Sequence, residues 1–145
     1  MIRIREMEAG DVDAAALLEQ QIFSRPWSRQ GFLDALEMDN TIFLVAEERG
    51  TVTGYAGLYA ALDEGEITNV AVDGKRRCRG TGALLIRGLK ELAEQRGIKR
   101  LILEVRVSND AAIRLYERNG FTKQGIRRDF YELPREDAYI MLCGQ

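Results

Sequence analysis

Hydrophobic and polar positions change rhythm twice along this chain. In IRIRE, Ile2 to Glu6, apolar and charged residues alternate, which is the period-2 pattern of a half-buried strand. From Asp11 the spacing lengthens to that of a helix. Asp11 stands as an N-cap, and Val12, Ala15, Leu18 and Ile22 fall on one face. SRPW breaks this helix, and Ser28 is placed to cap a second one that buries Phe32, Leu33 and Leu36. TIFLVAEE (Thr41 to Glu48) and VTGYAGLYAAL (Val52 to Leu62) are predicted strands joined by a turn at Arg49-Gly50. After a turn at DEGE, EITNVAV (Glu66 to Val72) makes a third strand, and the three read as an antiparallel meander.

The rhythm changes again past Val72. A basic stretch, KRRCRG, leads into an amphipathic helix from Ala83 to Arg96, with Leu85, Leu89 and Leu92 on one face and Gly97 at C′. RLILEVRV (Arg100 to Val107) is a strand. A shorter helix, Asp110 to Arg118, is capped by Asn109 or Ser108 and stopped by Gly120. Extended chain resumes at Phe121, and DAYIMLC (Asp137 to Cys143) is a last strand. No internal repeat, low-complexity tract or linker interrupts this order. The predicted fold class is α/β: one domain over residues 1–145, with a mixed central sheet of about six or seven strands flanked by helices.

Composition narrows the chemistry. The 145 residues are 46% hydrophobic and 30% charged, with a net charge of −2, the make-up of an ordinary globular domain rather than a general nucleic-acid binder. No apolar run is long enough to span a bilayer, and MIRIREMEAGD lacks the apolar core of a signal peptide. Two cysteines, Cys78 and Cys143, make no disulfide framework, so a reducing cytoplasmic compartment is expected. Histidine is absent. Ser-His-Asp and Cys-His catalysis are therefore excluded, no metal site is expected, and any acid or base must come from Glu, Asp, Tyr, Lys or Cys.

A glycine-rich turn between a strand and a helix presents backbone N–H groups at the positive end of the helix dipole, where phosphates bind. Arg76, Arg77 and Arg79 add charge. A Walker A loop would need Lys-Ser/Thr after the last glycine, but Ala83 follows Gly82. A Rossmann fingerprint would need a third glycine where Leu84 or Leu85 stands, although an acidic residue, Glu104, does follow on the next strand. A solvated basic turn is the plainer alternative.

Arg77, Gly80 and Gly82 in RxxGxG, between NVAV and an amphipathic helix, resemble motif A of the GCN5-related N-acetyltransferases. LEVRVSNDAAIRLYERNGF, Leu103 to Phe121, resembles that superfamily's motif B region in order and spacing. With FSRPWS (Phe23 to Ser28), RRDFY and EDAYIM, the pattern is similar to the RimI-type branch, the ribosomal-protein-alanine N-acetyltransferases. The resemblance implies a sheet splayed between two parallel strands, with acetyl-CoA lying in the gap as co-substrate. It implies that the backbone of Val70, Ala71 and Val72 pairs with the pantetheine arm, with an oxyanion donor near Val72. It assigns the pyrophosphate to the backbone N–H groups of Cys78, Arg79, Gly80, Thr81, Gly82 and Ala83. It gives the arginines, Arg77 among them, a part in holding the ribose 3′-phosphate, and places Asn109 near the pantetheine and thioester end. Gly74, Arg76 and Cys78 depart from the family's usual residues without removing a backbone donor.

The same resemblance implies Glu104 as general base and Tyr116 as general acid for the departing thiolate. The residues alone leave both open. Leu101, Leu103, Val105 and Val107 share one strand face, leaving Glu104 on the other with Arg106, a ready ion-pair partner. Tyr116, three residues after Ile113, is equally a core aromatic. The implied activity is direct transfer of an acetyl group to a protein N-terminal α-amine, that of an alanine on a small-subunit ribosomal protein. Neither nucleic acid nor membrane is an expected partner. The alternatives are a broader N-α or lysine acetyltransferase, a non-catalytic acyl-CoA-binding module and a nucleotide-binding domain. LDEGE (Leu62 to Glu66) and Asp129 are candidate acidic contacts for a basic peptide, or simply polar turns.

Overall fold

The computed structural model describes residues 1–76 and 79–144. Seven strands form its sheet: β1 (Ile2–Glu6), β2 (Thr41–Glu48), β3 (Thr51–Ala61), β4 (Glu64–Val72), β5 (Arg100–Arg106), β6 (Thr122–Glu132) and β7 (Arg135–Gly144). Their spatial order is β1-β2-β3-β4-β5-β7-β6. The α-helices among the described residues are α1 (Val12–Ile22), α2 (Arg29–Glu37), α3 (Thr81–Gln95) and α4 (Asp110–Arg118). The apolar faces of α1 and α2 pack with Phe43, Val45, Tyr55 and Ala71 on one side of the sheet. Those of α3 and α4 pack with Leu44, Leu58, Leu101 and Leu103 on the other.

The meander β1 to β4 is antiparallel throughout, whereas β4 and β5 run parallel across the α3 crossover. Their pairing covers only Glu64↔Arg100, Gly65↔Leu101 and Glu66↔Ile102. Beyond Glu66 the two strands part, and among the described residues Ile67–Val72 makes no ladder with β5. On its other edge β4 stays paired with β3, but the register shifts so that Gly57 faces Asn69 while Leu58 faces Ile67. Thr68 is the extra residue of this bulge, and its insertion reverses the sidedness of the residues after it. Ile67 and Val70 thereby join the α3 side, and Ala71 joins the α1 side.

Several boundaries differ from the sequence pattern for identifiable reasons. The turn before β4 is Leu62-Asp63, with Leu62 at φ 57°. Glu64 and Gly65 are already strand because each has a partner on both sides. Asp11 does not cap α1 with its side chain. Its carboxylate accepts Arg5 Nη1 at 2.7 Å and Nη2 at 2.8 Å, and the Glu8 N–H at 2.8 Å. A bidentate guanidinium outcompetes a helix N–H, and it holds the Asp11 carboxyl below the usual carboxylate range. Ser28 does cap α2, accepting Gly31 N at 3.0 Å. Leu33 and Leu36 are only half-buried, and Ala35 fills the core position beside Phe32.

Gly57 is a packing requirement. A Cβ there would stand 2.5 Å from Phe43 Cδ1 and closer still to Cε1. The Phe43 ring itself is wedged among Trp27, Phe32 and Tyr59, with centroids 5.9, 6.4 and 6.1 Å away. Gly57→Ala is predicted to destabilise the fold by about 1–3 kcal/mol through overpacking, read as a lower urea midpoint. An unchanged midpoint would show that the ring can yield.

Candidate active site

The parting of β4 from β5 opens a cleft of about 680 Å³. β4 contributes Ile67 to Val70, β5 Glu104 to Arg106, and α4 Asn109, Ala112 and Tyr116. The α1–α2 connection and the β6–β7 hairpin form its outer walls, with Trp27 on one and Tyr131 on the other. Arg25 and Glu132 bridge those walls at 2.5 Å.

Glu104 and Tyr116 reach this cleft from opposite sides of the sheet. Leu101, Leu103 and Val105 belong to the core under α3 and α4, so strand alternation turns Glu104 to the α1 side. Its side chain is 12% exposed, and Oε2 lies 3.4 Å from Arg127 Nε. The partner suggested by the sequence, Arg106, is engaged elsewhere. It contacts Glu136 at 3.2 Å, donates to the Leu133 and Pro134 carbonyls, and lies 4.2 Å over the Tyr131 ring. Burial, and then the nearby Glu66 charge, push the Glu104 carboxyl above its ordinary pKa, while Arg127 opposes the shift.

Tyr116 approaches from α4. It is 8% exposed and packs edge-on against Phe121, 5.9 Å between centroids. Burial pushes its hydroxyl above the usual phenol range, so it stays protonated at neutral pH. The two readings of this residue are therefore compatible: the ring is core and the residue lines the cleft. Asn109 likewise combines two positions. Its Oδ1 accepts Ala112 N at 3.2 Å as the α4 cap, and the residue lines the cleft.

The glycine loop follows the free stretch of β4. Gly80 has φ 80°, a left-handed turn that carries the chain into α3. Thr81, Gly82 and Ala83 form the first turn, where N–H groups have no intrahelical acceptor. Leu84 N is already bonded to Gly80 O at 3.0 Å. Gly82 also lets α3 approach α4, since a Cβ would meet Leu115 Cδ2 at 2.9 Å. Arg76 and Arg79 both converge on Glu48 Oε2, at 3.2 and 3.3 Å. Arg77 and Cys78 lie outside the described residues.

The candidate acidic contacts at LDEGE and Asp129 do not line the cleft, which leaves them as polar turns and strand positions. Glu64 pairs with Arg100 at 3.6 Å, and of the stretch only Glu66 is near enough to act on Glu104. The acidic residues that do line the cleft are Glu19, Glu104 and Glu132. Glu19 was not visible as a site residue in the sequence, where it is one polar position on an amphipathic helix. Asn69 carries no signal of its own within EITNVAV, and Trp27 is marked only as part of FSRPWS. They become recognisable only when the bulge in β4 and the α1–α2 connection are brought together.

Residues 12–121 match the Acetyltransferase (GNAT) family. The chain belongs to this family. An Escherichia coli (strain K12) relative named [ribosomal protein bS18]-alanine N-acetyltransferase is 37% identical over 97% of this chain and 96% of its own length. The crystal structure of the ribosomal-protein-S18-alanine N-acetyltransferase from Escherichia coli superposes with a TM-score of 0.90 at 36% identity, covering 99% of this chain and 94% of that one. A PaiA N-acetyltransferase from Thermoplasma acidophilum, solved in complex with coenzyme A, shares the fold at 18% identity and a TM-score of 0.81, over 100% and 99% of the two chains. The seven-stranded sheet split between parallel neighbours is thus the fold of an acyltransferase. In this acetyltransferase no helix among the described residues is long and apolar enough to cross a membrane, and no group of three or more metal-ligating side chains occurs among them.

Proposed function

We propose that this acetyltransferase moves the acetyl group of acetyl-CoA to the N-terminal α-amine of a protein, an alanine on a small-subunit ribosomal protein, in one direct step. The observation that carries this reading is the entry of Glu104 and Tyr116 into one cleft from opposite sides of the split sheet. A base on one face and an acid on the other suit a reaction in which the nucleophile and the leaving group lie on opposite sides of a carbonyl.

The chain's residues fit the co-substrate. The free edge of β4, Val70 to Val72, offers strand-type backbone groups to the two amides of a pantetheine arm. A backbone N–H near Val72 suits the thioester oxygen as charge develops there. Gly80 to Ala83 offer N–H donors, and Arg79 a charge, to the pyrophosphate. Asn109, which lines the cleft as Tyr116 does, suits the pantetheine and thioester end.

In the transfer, Glu104 takes a proton from the acceptor ammonium, directly or through a water. Glu104 releases that proton to solvent. The neutral amine nitrogen forms the new bond to the acetyl carbon and gives its second proton to Glu104. The C–S bond breaks, and Tyr116 Oη gives the sulfur its proton and regains one from solvent. An α-amine has a pKa of about 7.7–8.0 against about 10.4 for lysine, so a carboxylate base suffices for the former. Residues 1–145 act as a single catalytic unit in this reading, in the cytoplasm. The buried free thiol of Cys143 agrees with a reducing compartment.

The test is incubation with acetyl-CoA and two short peptides, one with a free N-terminal alanine and one N-terminally blocked with an internal lysine. Expected is release of free CoA thiol together with acetylation of the alanine peptide alone. Acetylation of the lysine peptide at a comparable rate would favour the broader enzyme. Acetyl-CoA binding without transfer to either would leave only a binding module.

A further inference from the structure

Behind the acceptor side of the cleft lies a closed hydrogen-bond triangle. Glu19 on α1 and Tyr55 on β3 are both 0% exposed. Glu19 Oε1 accepts the Trp27 backbone N–H at 2.8 Å. Its Oε2 accepts the Tyr55 hydroxyl and Asn69 Nδ2, the latter at 2.6 Å. Asn69 Nδ2 also donates to Tyr55 Oη at 2.8 Å. No cation among the described residues pairs with Glu19.

The chemistry of these groups dictates which way the Asn69 amide faces. An ionised carboxylate only accepts, so every neighbour must bring a hydrogen. Burial and the Glu19 charge hold the Tyr55 hydroxyl far above its ordinary pKa, so it keeps its proton and donates it to Glu19. Its lone pair is then left to accept from Asn69 Nδ2 as well. One amide hydrogen is shared between Glu19 Oε2 and Tyr55 Oη, which fixes Nδ2 on the triangle's side and turns Oδ1 away from it. Asn69 lines the cleft. The Thr68 bulge gives it the same sheet side as Ala71, the side that also carries Glu104.

We propose that Asn69 Oδ1 accepts an N–H of the acceptor amine, and that Glu19 and Tyr55 are positioning residues that impose this orientation on the amide. The proposal rests on the reading of the site as one that acylates an α-amine. A neutral primary amine has two N–H groups: Glu104 receives one proton during the transfer, and Asn69 Oδ1 holds the other and so aims the lone pair. An N-methylated amine lacks the hydrogen that Asn69 would hold. The cleft therefore selects primary amines by a hydrogen bond as well as by shape.

The test compares kcat/KM for an alanine peptide and the same peptide N-methylated at its amine, with acetyl-CoA affinity measured separately at equilibrium. The parent enzyme is expected to favour the primary amine at least about tenfold. In Asn69→Ala the alanine peptide should lose about tenfold and the N-methyl peptide no more than about twofold, so that discrimination collapses. Glu19→Gln should do the same, because the introduced side-chain amide, facing Tyr55 and Asn69, turns the Asn69 amide around. Combining Glu19→Gln with Asn69→Asp reverses the donor and acceptor but restores an oxygen toward the cleft, and discrimination should return. Acetyl-CoA affinity should not change in any of them. Discrimination that persists in Asn69→Ala, or fails to return in the double variant, overturns the assignment. A parent that acetylates neither peptide overturns instead the reading of function on which it stands.

Discussion

Glu104→Gln is expected to leave a folded protein whose kcat for peptide acetylation is about 10²–10⁴-fold lower. Gln keeps the volume and the polarity of the position but cannot take a proton. The pH dependence identifies the group. The carboxyl works ionised, and burial and Glu66 raise its pKa while Arg127 lowers it. Parent activity should therefore fall as pH drops through that raised value. Arg127→Ala should move the acid limb to higher pH.

The same shift governs stability, with the opposite benefit. A carboxyl whose folded pKa lies above its unfolded one stabilises the fold when protonated, below the unfolded pKa. That contribution is lost as pH rises through the folded pKa, and at neutral pH the buried charge is a burden. Glu104→Gln should accordingly melt no lower than the parent at pH ~7 and no higher at pH ~4. Thermal melts at the two pH values, with steady-state kinetics, check both halves. A kcat within about tenfold of the parent would remove Glu104 from the role of base.

Tyr116→Phe is expected to lower kcat by about 10²-fold with acetyl-CoA, while leaving the fold intact. The ring's contact with Phe121 is retained, and the Tyr116 hydroxyl has no hydrogen-bond partner among the described residues. An acid is needed because an alkyl thiolate is a poor leaving group near neutral pH. With an aryl thioester as donor, whose thiolate leaves without protonation, the variant should approach the parent rate. A deficit equal for both donors would show that Tyr116 only shapes the cleft.

Much of the fold can be read from local pattern. The strand at Thr41–Glu48, the helix at Asp110–Arg118, the Asn109 cap and the left-handed Gly97 and Gly120 agree with the sequence reading. Each depends on residues within one or two turns of itself, where capping, φ preference and hydrophobic period decide the outcome. Glu104 and Tyr116 were legible as candidates for a related reason. The absence of histidine left few acids and bases, and the flanking motifs resemble a known family.

Which residues touch was not legible. Glu104 could as well have paired with Arg106, yet residues two apart on a strand face are roughly 7 Å apart along it. Arg127, brought across from β6, takes that place instead. Glu19 was one polar position among many until the fold buried it against Tyr55 and Asn69, residues 36 and 50 positions away. The sequence by itself determined the order of the elements, the Ser28 and Asn109 caps and the short menu of reactive groups, because these depend on nearest neighbours along the chain. Only the tertiary structure decided where β4 leaves β5 and which partner each carboxylate meets. Those depend on strand register and on contacts between distant segments, which no local pattern records.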